Sequence, residues 1–179
     1  MTKMAVAVLA GRRIDAMDAR VDRFPLQNVP IVKNRIRDVL AIKNIELLIS
    51  SAACGADLLA LEQASLLGIR TRIVLPYEIA RFRQTSVTDR PGDWGPLFDR
   101  MVSLAEANGE LITLDLLSER NAFSIANRAL IAKATNEDAL LTLAIAVWEG
   151  VCRGSDDSTA EFIRLTAEAG MSLETVLTC

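Results

Sequence analysis

Two short stretches of this sequence combine small residues with acidic and hydroxyl side chains, and each stands where an apolar run gives way to a helical pattern. The first, SAACGAD, spans residues 51–57, and the second, GVCRGSDDST, spans residues 150–159. Small residues let the backbone approach a ligand, and the N–H groups and dipole of a helix N-terminus favour a bound anion. The two stretches therefore predict two walls of one phosphate-binding crevice.

The acid–base chemistry open to this chain is limited, because the sequence contains no histidine. A Ser-His-Asp or Cys-His hydrolase within the chain is excluded, and a general base would have to be a carboxylate, amine, thiol or hydroxyl. Asp156, Asp157 and Glu161 are weak candidates for a carboxylate base. The three cysteines are scattered without metal-ligand spacing, which predicts neither a metal site nor a disulfide framework and favours a reducing cytoplasm.

Both stretches also have explanations that need no ligand. Ser158 with Glu161 three residues later matches a capping box at the start of a helix. Asp57 would be a favourable charge in the first turn of a helix. The small residues would allow a strand and a helix to pack closely. The residues alone leave these alternatives open.

Two further polar loops follow predicted strands and carry side chains that bind phosphate in other proteins. Arginine offers paired donors and hydroxyls offer single ones. In the later loop, Trp94 is expected to be a buried anchor rather than a platform for a base. The candidates are Arg12, Arg13 and Asp15 in residues 12–27, and Arg81, Arg83, Thr85, Ser86 and Arg90 in residues 81–95.

Runs of apolar residues with the length of strands alternate with helical patterns along the chain. The alternation predicts an α/β fold with a mainly parallel sheet, whose ligands bind at the carboxyl ends of the strands. We find no repeat or linker, so residues 1–179 are expected to form a single domain. Strands are predicted at 4–10, 45–50, 69–75, 110–114, 139–148 and, more weakly, 172–177, and helices at 29–42, 56–67, 94–107, 122–134 and 157–169.

Charge and hydrophobicity narrow the range of partners. A formal net charge of −3 argues against nucleic acid as a partner. No apolar segment is long enough to span a bilayer, so no membrane partner is expected. A cytoplasmic homodimer that buries apolar helix faces is the expected assembly.

Six segments resemble, in their order along the chain, one group of proteins. They are GRRID, ISSAACGADLLALEQA, LPYEIARFRQTSV, GDW, the Ala-Asn-Arg at residues 126–128 and WEGVCRGSDDSTAEFIRLTAEAG. Together they resemble the SLOG superfamily of Rossmann-like nucleotide-binding domains, and most closely a stand-alone or fused bacterial version. That superfamily includes the DNA-processing protein A family and the "Lonely guy" cytokinin phosphoribohydrolases, once labelled lysine decarboxylases.

The resemblance implies a three-layer α/β/α Rossmann-like domain with a doubly wound sheet of order 3-2-1-4-5. The ligand would lie above strands one, two and five. The expected function is binding of a nucleotide or nucleotide-derived small molecule as a sensor or carrier, with no other cofactor. The implied pocket has one wall formed by Gly11, Ser51, Gly55 and Asp57, and another formed by Gly150, Gly154, Ser158 and Thr159.

An N-glycoside hydrolase acting on nucleoside monophosphates or related nucleotides is the alternative. Enzymes of the phosphoribohydrolase type carry Pro-Gly-Gly-x-Gly-Thr-x-x-Glu, whose glutamate works at the N-glycosidic bond. Here Glu161 stands one position early after Thr159, and the proline and two of the glycines are missing. One position turns a helical side chain by about 100°, which puts the hydrolase chemistry in doubt. Single-stranded DNA binding, as in DNA-processing protein A, is a third class that the acidic charge disfavours.

Overall fold

The computed structural model describes residues 4–118 and 121–179, which form a sheet between two layers of helices. The strands are β1 Met4–Gly11, β2 Leu47–Ser50, β3 Arg70–Leu75, β4 Leu111–Thr113, β5 Ala139–Trp148 and β6 Ser172–Leu177. The helices are α1 Val29–Ile42, α2 Ala56–Leu66, α3 Ile79–Ser86, α4 Gly95–Ala107, α5 Ala122–Thr135 and α6 Ser158–Glu168, with a 3-10 helix at Leu26–Asn28. In this part of the chain no helix has the length and apolar character needed to cross a membrane.

The sheet has the order β4-β3-β2-β1-β5-β6, and each neighbouring pair of these strands is parallel. The resemblance implied the order 3-2-1-4-5 for five strands. If the short edge strand β4 is left out, β5 and β6 are the fourth and fifth strands, and the observed order is the same. Consecutive strands move outward from β1 to β4, and the chain then returns to the other side of β1. The switch point between β1 and β5 is where open α/β sheets bind ligands.

Strand β1 shows why the central strands are apolar without interruption. Ala7 and Leu9 pack on one face, in the core that includes α1, α2 and α4, whereas Val6 and Val8 pack on the other face with α5 and α6. All four side chains are fully buried. Successive residues of a strand point to opposite faces, so a strand covered on both faces must be apolar at every position. The α/β/α layering expected from the sequence is confirmed.

Helix α3 is the main difference from the sequence-based prediction, which treated residues 81–95 as a polar loop. The helix begins at Glu78, whose carboxylate accepts a hydrogen bond from the Arg81 N–H at 3.0 Å. Its large buried side chain is Phe82, which lies with its ring centroid 6.0 Å from that of Phe98. One apolar anchor in a short helix produces no helical periodicity, so the pattern was invisible in the sequence.

Candidate functional site

A cleft of about 210 Å³ opens at the carboxyl ends of β1 and β2 and is bounded by α5 and by the start of α6, the helix that follows β5. Its apolar lining consists of Ala10, Ala53, Phe82, Phe123, Ala126 and Leu130. Its polar lining consists of Arg13, Ser51, Asp57, Asn127, Ser158 and Thr159, and Gly11 lies between the two sets. Of the residues predicted from sequence, the cleft brings together Gly11, Arg13, Ser51, Asp57, Ser158 and Thr159.

Two predicted glycines are required by close packing of the backbone. A Cβ atom on Gly11 would lie 2.4 Å from the Val147 carbonyl oxygen and 2.6 Å from the Ala56 Cβ. Gly55 has a φ of +95°, and a Cβ there would lie 2.8 Å from the Arg12 carbonyl oxygen. Gly55 therefore lets the start of α2 contact the loop after β1, and it does not itself line the cleft. The packing alternative accounts for this glycine.

Asp57 is the carboxyl group of the cleft. It lies in the first turn of α2 and is 7% exposed. One carboxylate oxygen accepts a hydrogen bond from the Ala53 N–H at 3.2 Å, and the Ser50 side chain also interacts with the carboxyl group. Burial raises the pKa of Asp57 to about 7, and this outweighs the opposing effects of the Ala53 N–H and the Arg13 charge. Asp57 therefore exchanges its proton close to neutral pH.

Asn127 and Thr159 also present polar atoms to the cleft. The Asn127 side-chain amide donates a hydrogen bond to the Ser158 carbonyl oxygen at 2.9 Å, while its own oxygen has no partner in residues 4–118 and 121–179. Thr159 is 3% exposed and lines the cleft. Asn127 was not among the predicted ligand residues. Its signal was a polar residue on the buried face of α5, between Ala126 and Leu130.

Phe123 lies in the first turn of α5 and lines the cleft while remaining 43% exposed. Its exposure leaves an aromatic face available at the entrance to the cleft.

The start of α6 is closed by an ion-pair network. Asp157 is the N-cap, and one of its oxygens accepts hydrogen bonds from the N–H groups of Thr159 and Ala160 at 3.1 and 3.0 Å. Arg12 donates to both Asp157 oxygens at 2.6 and 2.8 Å and to Glu149 at 2.7 Å. Burial by itself would raise the pKa of Asp157, but the hydrogen bonds from Arg12 hold it well below the usual range. Arg12 and Asp157, predicted as ligand and catalytic residues, thus bind each other.

The capping-box alternative for Ser158 and Glu161 is wrong, because Asp157 rather than Ser158 caps the helix. Glu161 instead accepts a hydrogen bond from the Ser124 hydroxyl at 2.6 Å. Glu161 and Asp156 line a neighbouring acidic hollow that shares Ser158 with the cleft. The weak catalytic candidates therefore lie beside the cleft rather than in it. The described residues contain no cluster of side chains that could hold a metal ion.

Arg13 is a cation in the lining of the cleft, and its guanidinium is already paired. One terminal nitrogen contacts both carboxylate oxygens of Asp89 at 2.5 Å. Its Nε atom is buried and lacks a hydrogen-bond partner in the described part of the chain. Asp89 also lies 3.6 Å from Arg90, so these predicted arginines meet at one carboxylate.

Other predicted ligand residues lie outside the cleft and make contacts within the protein. Asp15 accepts hydrogen bonds from the N–H groups of Arg23 and Phe24 at 3.0 and 3.1 Å. Arg83 pairs with Asp99 on the surface at 2.8 Å. These side chains stabilise a loop and a pair of helices, respectively.

Ser86, Gly150 and Gly154 complete the predicted set. Ser86 is fully buried, and its carbonyl oxygen accepts a hydrogen bond from the Cys54 N–H at 3.0 Å. Gly150 and Gly154 are exposed, with φ values of +86° and +110°, in the turn that leads from β5 to α6. Trp94, expected as a buried anchor, is 7% exposed and donates to the Pro91 carbonyl oxygen at 2.8 Å, which confirms that expectation.

No family model matches the sequence, and no curated protein matches it significantly. Among solved structures, the structural genomics target TM1055 is similar over 95% of this chain and 72% of its own, with a TM-score of 0.50 and 14% identity. DNA processing protein A from Streptococcus pneumoniae is similar over 98% of this chain and 59% of its own, with a TM-score of 0.46 and 14% identity. The Moco carrier protein from Chlamydomonas reinhardtii is similar over 97% and 89%, with a TM-score of 0.35 and 13% identity.

The likeness to TM1055 concerns the fold, since the identity is low. It supports the Rossmann-like α/β/α fold, with its parallel sheet, that the sequence resemblance implied.

Proposed function

We propose that the protein binds a nucleotide or nucleotide-derived small molecule in the cleft and acts as a sensor or carrier. The observation that carries this proposal is that three buried polar side chains, Asp57, Asn127 and Thr159, line the same cleft. Each residue is more than nine-tenths buried, being 7%, 7% and 3% exposed. Buried polar groups are costly unless they are hydrogen-bonded, so a ligand that bonds them is stabilised there.

The rest of the cleft also supports a small-molecule site. Ligand pockets combine mainly apolar walls with a few convergent polar groups. Here Phe82, Phe123 and Leu130 supply apolar surface around the three polar residues. The cleft lies at the switch point between β1 and β5, where Rossmann-like sheets bind nucleotides.

Binding without turnover is favoured by the number of carboxylates in the cleft. Glycoside hydrolysis commonly uses a pair of carboxyl groups, one on each side of the bond that breaks. Among the described residues of the lining, Asp57 supplies the single carboxyl group. Asp157 is held by Arg12, and Glu161 lies in the neighbouring hollow.

One observation favours the N-glycoside hydrolase as a second candidate. The pKa of Asp57 is about 7, so this group is able to donate a proton to a departing base at neutral pH. Asp57 is thus the residue on which both functions depend.

The test combines binding and product analysis on the purified protein. A panel of nucleoside monophosphates, dinucleotides and cyclic nucleotides is titrated by calorimetry, and each mixture is then analysed by chromatography for released base. We expect saturable binding of one ligand class without release of base. Asp57→Asn should weaken that binding at least about tenfold, the effect of losing a hydrogen bond to a charged or strongly polarised group.

Asp18→Asn is the matched control, since Asp18 is exposed and lies outside the cleft. Release of base that disappears in Asp57→Asn would establish the hydrolase instead. Failure of the whole panel to bind would overturn the proposed function.

A further inference from the structure

The cleft is smaller than the sites that enclose whole ligands. Its volume is about 210 Å³, whereas sites that bury a drug-sized ligand have roughly 300–1,000 Å³. One part of a nucleotide-sized ligand therefore fits inside, and the rest must extend beyond the entrance.

Five backbone N–H groups at the starts of α2 and α6 already donate hydrogen bonds within the protein. At the start of α2, the N–H groups of Ala53, Cys54 and Ala56 donate to Asp57, Ser86 and Arg12. At the start of α6, the N–H groups of Thr159 and Ala160 donate to Asp157. A carboxylate of the protein thus occupies the anion position that the α6 N-terminus offers.

The charges in the cleft also disfavour an anion. Arg13 is neutralised by Asp89, and Arg12 by Asp157 and Glu149. A phosphate inside the cleft would instead face the Asp57 carboxyl group. Whenever Asp57 is ionised, these two like charges would repel strongly in a poorly solvated site.

We propose that the cleft holds the uncharged heterocyclic part of the ligand, such as a nucleobase, and that any phosphate lies outside it. This inference rests on the proposed function and specifies which end of the ligand is recognised. Asp57 and Asn127 form the recognition pair. The Asp57 carboxyl group donates to a ring nitrogen when protonated and accepts from a ring N–H or an amino group when ionised, and the Asn127 oxygen accepts a second hydrogen bond.

Phe123 complements this pair at the entrance. It offers an exposed aromatic ring. Aromatic side chains stack on any nucleobase, because every base has a π-face. A base with its edge toward Asp57 and Asn127 and its face toward Phe123 would satisfy the polar and the apolar lining together.

The experiment compares pieces of the same ligand on the full chain. Each nucleobase, its nucleoside and its 5′-monophosphate is titrated by calorimetry, with ribose 5-phosphate and inorganic phosphate as competitors. We expect the nucleoside of one base to bind within about tenfold of its monophosphate, because a phosphate outside the cleft adds at most about one exposed ion pair. The two phosphate competitors should displace neither ligand at millimolar concentration.

Substitutions then locate the base. Asp57→Asn and Asn127→Ala should weaken nucleoside binding, whereas Asp18→Asn should leave it unchanged, with folding checked by circular dichroism. A monophosphate that binds while its nucleoside does not, or displacement by ribose 5-phosphate, would overturn the inference and leave the proposed function standing. Binding that is lost for bases, nucleosides and monophosphates alike would refute both.

Discussion

The starts of α2 and α6 occupy equivalent places, each following a central parallel strand at the carboxyl edge of the sheet, yet their chemistry is opposite. Helix α2 begins at Gly55, which has no side chain to cap it, and presents the Asp57 carboxyl group to the cleft. Helix α6 begins at Asp157, whose carboxylate caps the helix and binds Arg12. At one helix start the carboxyl group lines the cleft, and at the other the carboxylate is bound by an arginine of the protein.

This difference shows that a helix N-terminus at a switch point is not automatically an anion site. The same dipole that attracts phosphate attracts a carboxylate of the chain, and the nearer group takes the position. Two carboxyl groups with opposite pKa shifts result, Asp57 raised by burial and Asp157 lowered by Arg12 despite its burial. The following predictions test that contrast.

The largest effect on stability is expected from Asp157→Ala, at the start of α6. It removes the cap and leaves Arg12 with Glu149 as its remaining carboxylate in a nearly buried setting. The free energy of unfolding should fall by about 3 to 5 kcal/mol at neutral pH, measured by urea denaturation. Because the folded-state pKa lies below the unfolded value of 3.8, this contribution is present above that pH and is lost as the pH falls further.

Asp157→Asn is the matched control for that prediction. Asparagine caps helices well but carries no charge, so it should lose less stability than alanine. Equal losses in the two variants would mean that the ion pair alone stabilises this end of the helix.

Gly55→Ala tests the start of α2, which no side chain caps. Alanine would be strained at a φ of +95°, and its Cβ would lie 2.8 and 2.9 Å from backbone atoms of Arg12 and Ile14. The free energy of unfolding of Gly55→Ala should therefore fall by about 2 to 4 kcal/mol. Gly154→Ala is the comparison, because its φ is +110° but no atom lies within 4 Å of the added Cβ. The free energy of unfolding of Gly154→Ala should fall by about 1 kcal/mol. Similar falls in the two variants would show that the close backbone contact at Gly55 is unimportant.

Asp57→Asn should change how stability depends on pH. The folded-state pKa of about 7 lies above the ordinary value of 3.8, so the folded protein holds this proton more tightly than the unfolded chain. The free energy of unfolding should therefore fall as the pH rises between those values, and the asparagine variant should lack that fall. At about pH 8 the variant should be more stable by about 1 to 3 kcal/mol, while near pH 4 the two should agree.

The measurement for Asp57→Asn is urea denaturation across that pH range. Asp57 interacts with the charge of Arg13, and Arg13 interacts in turn with Asp89 and Cys54. These groups are present in the original protein and in the variant. The difference between the two curves therefore isolates Asp57. Parallel curves would show that Asp57 is ionised throughout and not buried in the way described.

The smallest effect is expected from Glu161→Gln. Glutamine keeps an oxygen for the Ser124 hydroxyl and loses one favourable charge in the first turn of α6. A loss of about 0.5 kcal/mol by thermal denaturation is expected. A loss several times larger would return Glu161 to the role of a capping partner.

The local pattern of the sequence was sufficient for most of the fold. Strand β5 was predicted with its observed bounds. A run of ten nearly all apolar residues in an α/β protein is typical of a strand that is buried on both faces. Helix α3 was missed, since Phe82 is its single large buried residue. A cleft lies at the strand ends, where the sequence predicted a ligand crevice, but the predicted phosphate chemistry rested on the small residues around Gly55 and Gly154.

What the sequence determined by itself is the alternation of strands and helices, and with it the edge of the sheet where a ligand would bind. What only the tertiary structure decided is which polar side chains are already satisfied there. Arg12 and Asp157 lie 145 residues apart in the chain and pair because β1 and β5 are neighbours in the sheet. Hydrogen bonds and ion pairs depend on distances between such remote residues, whereas strand and helix patterns depend on local spacing.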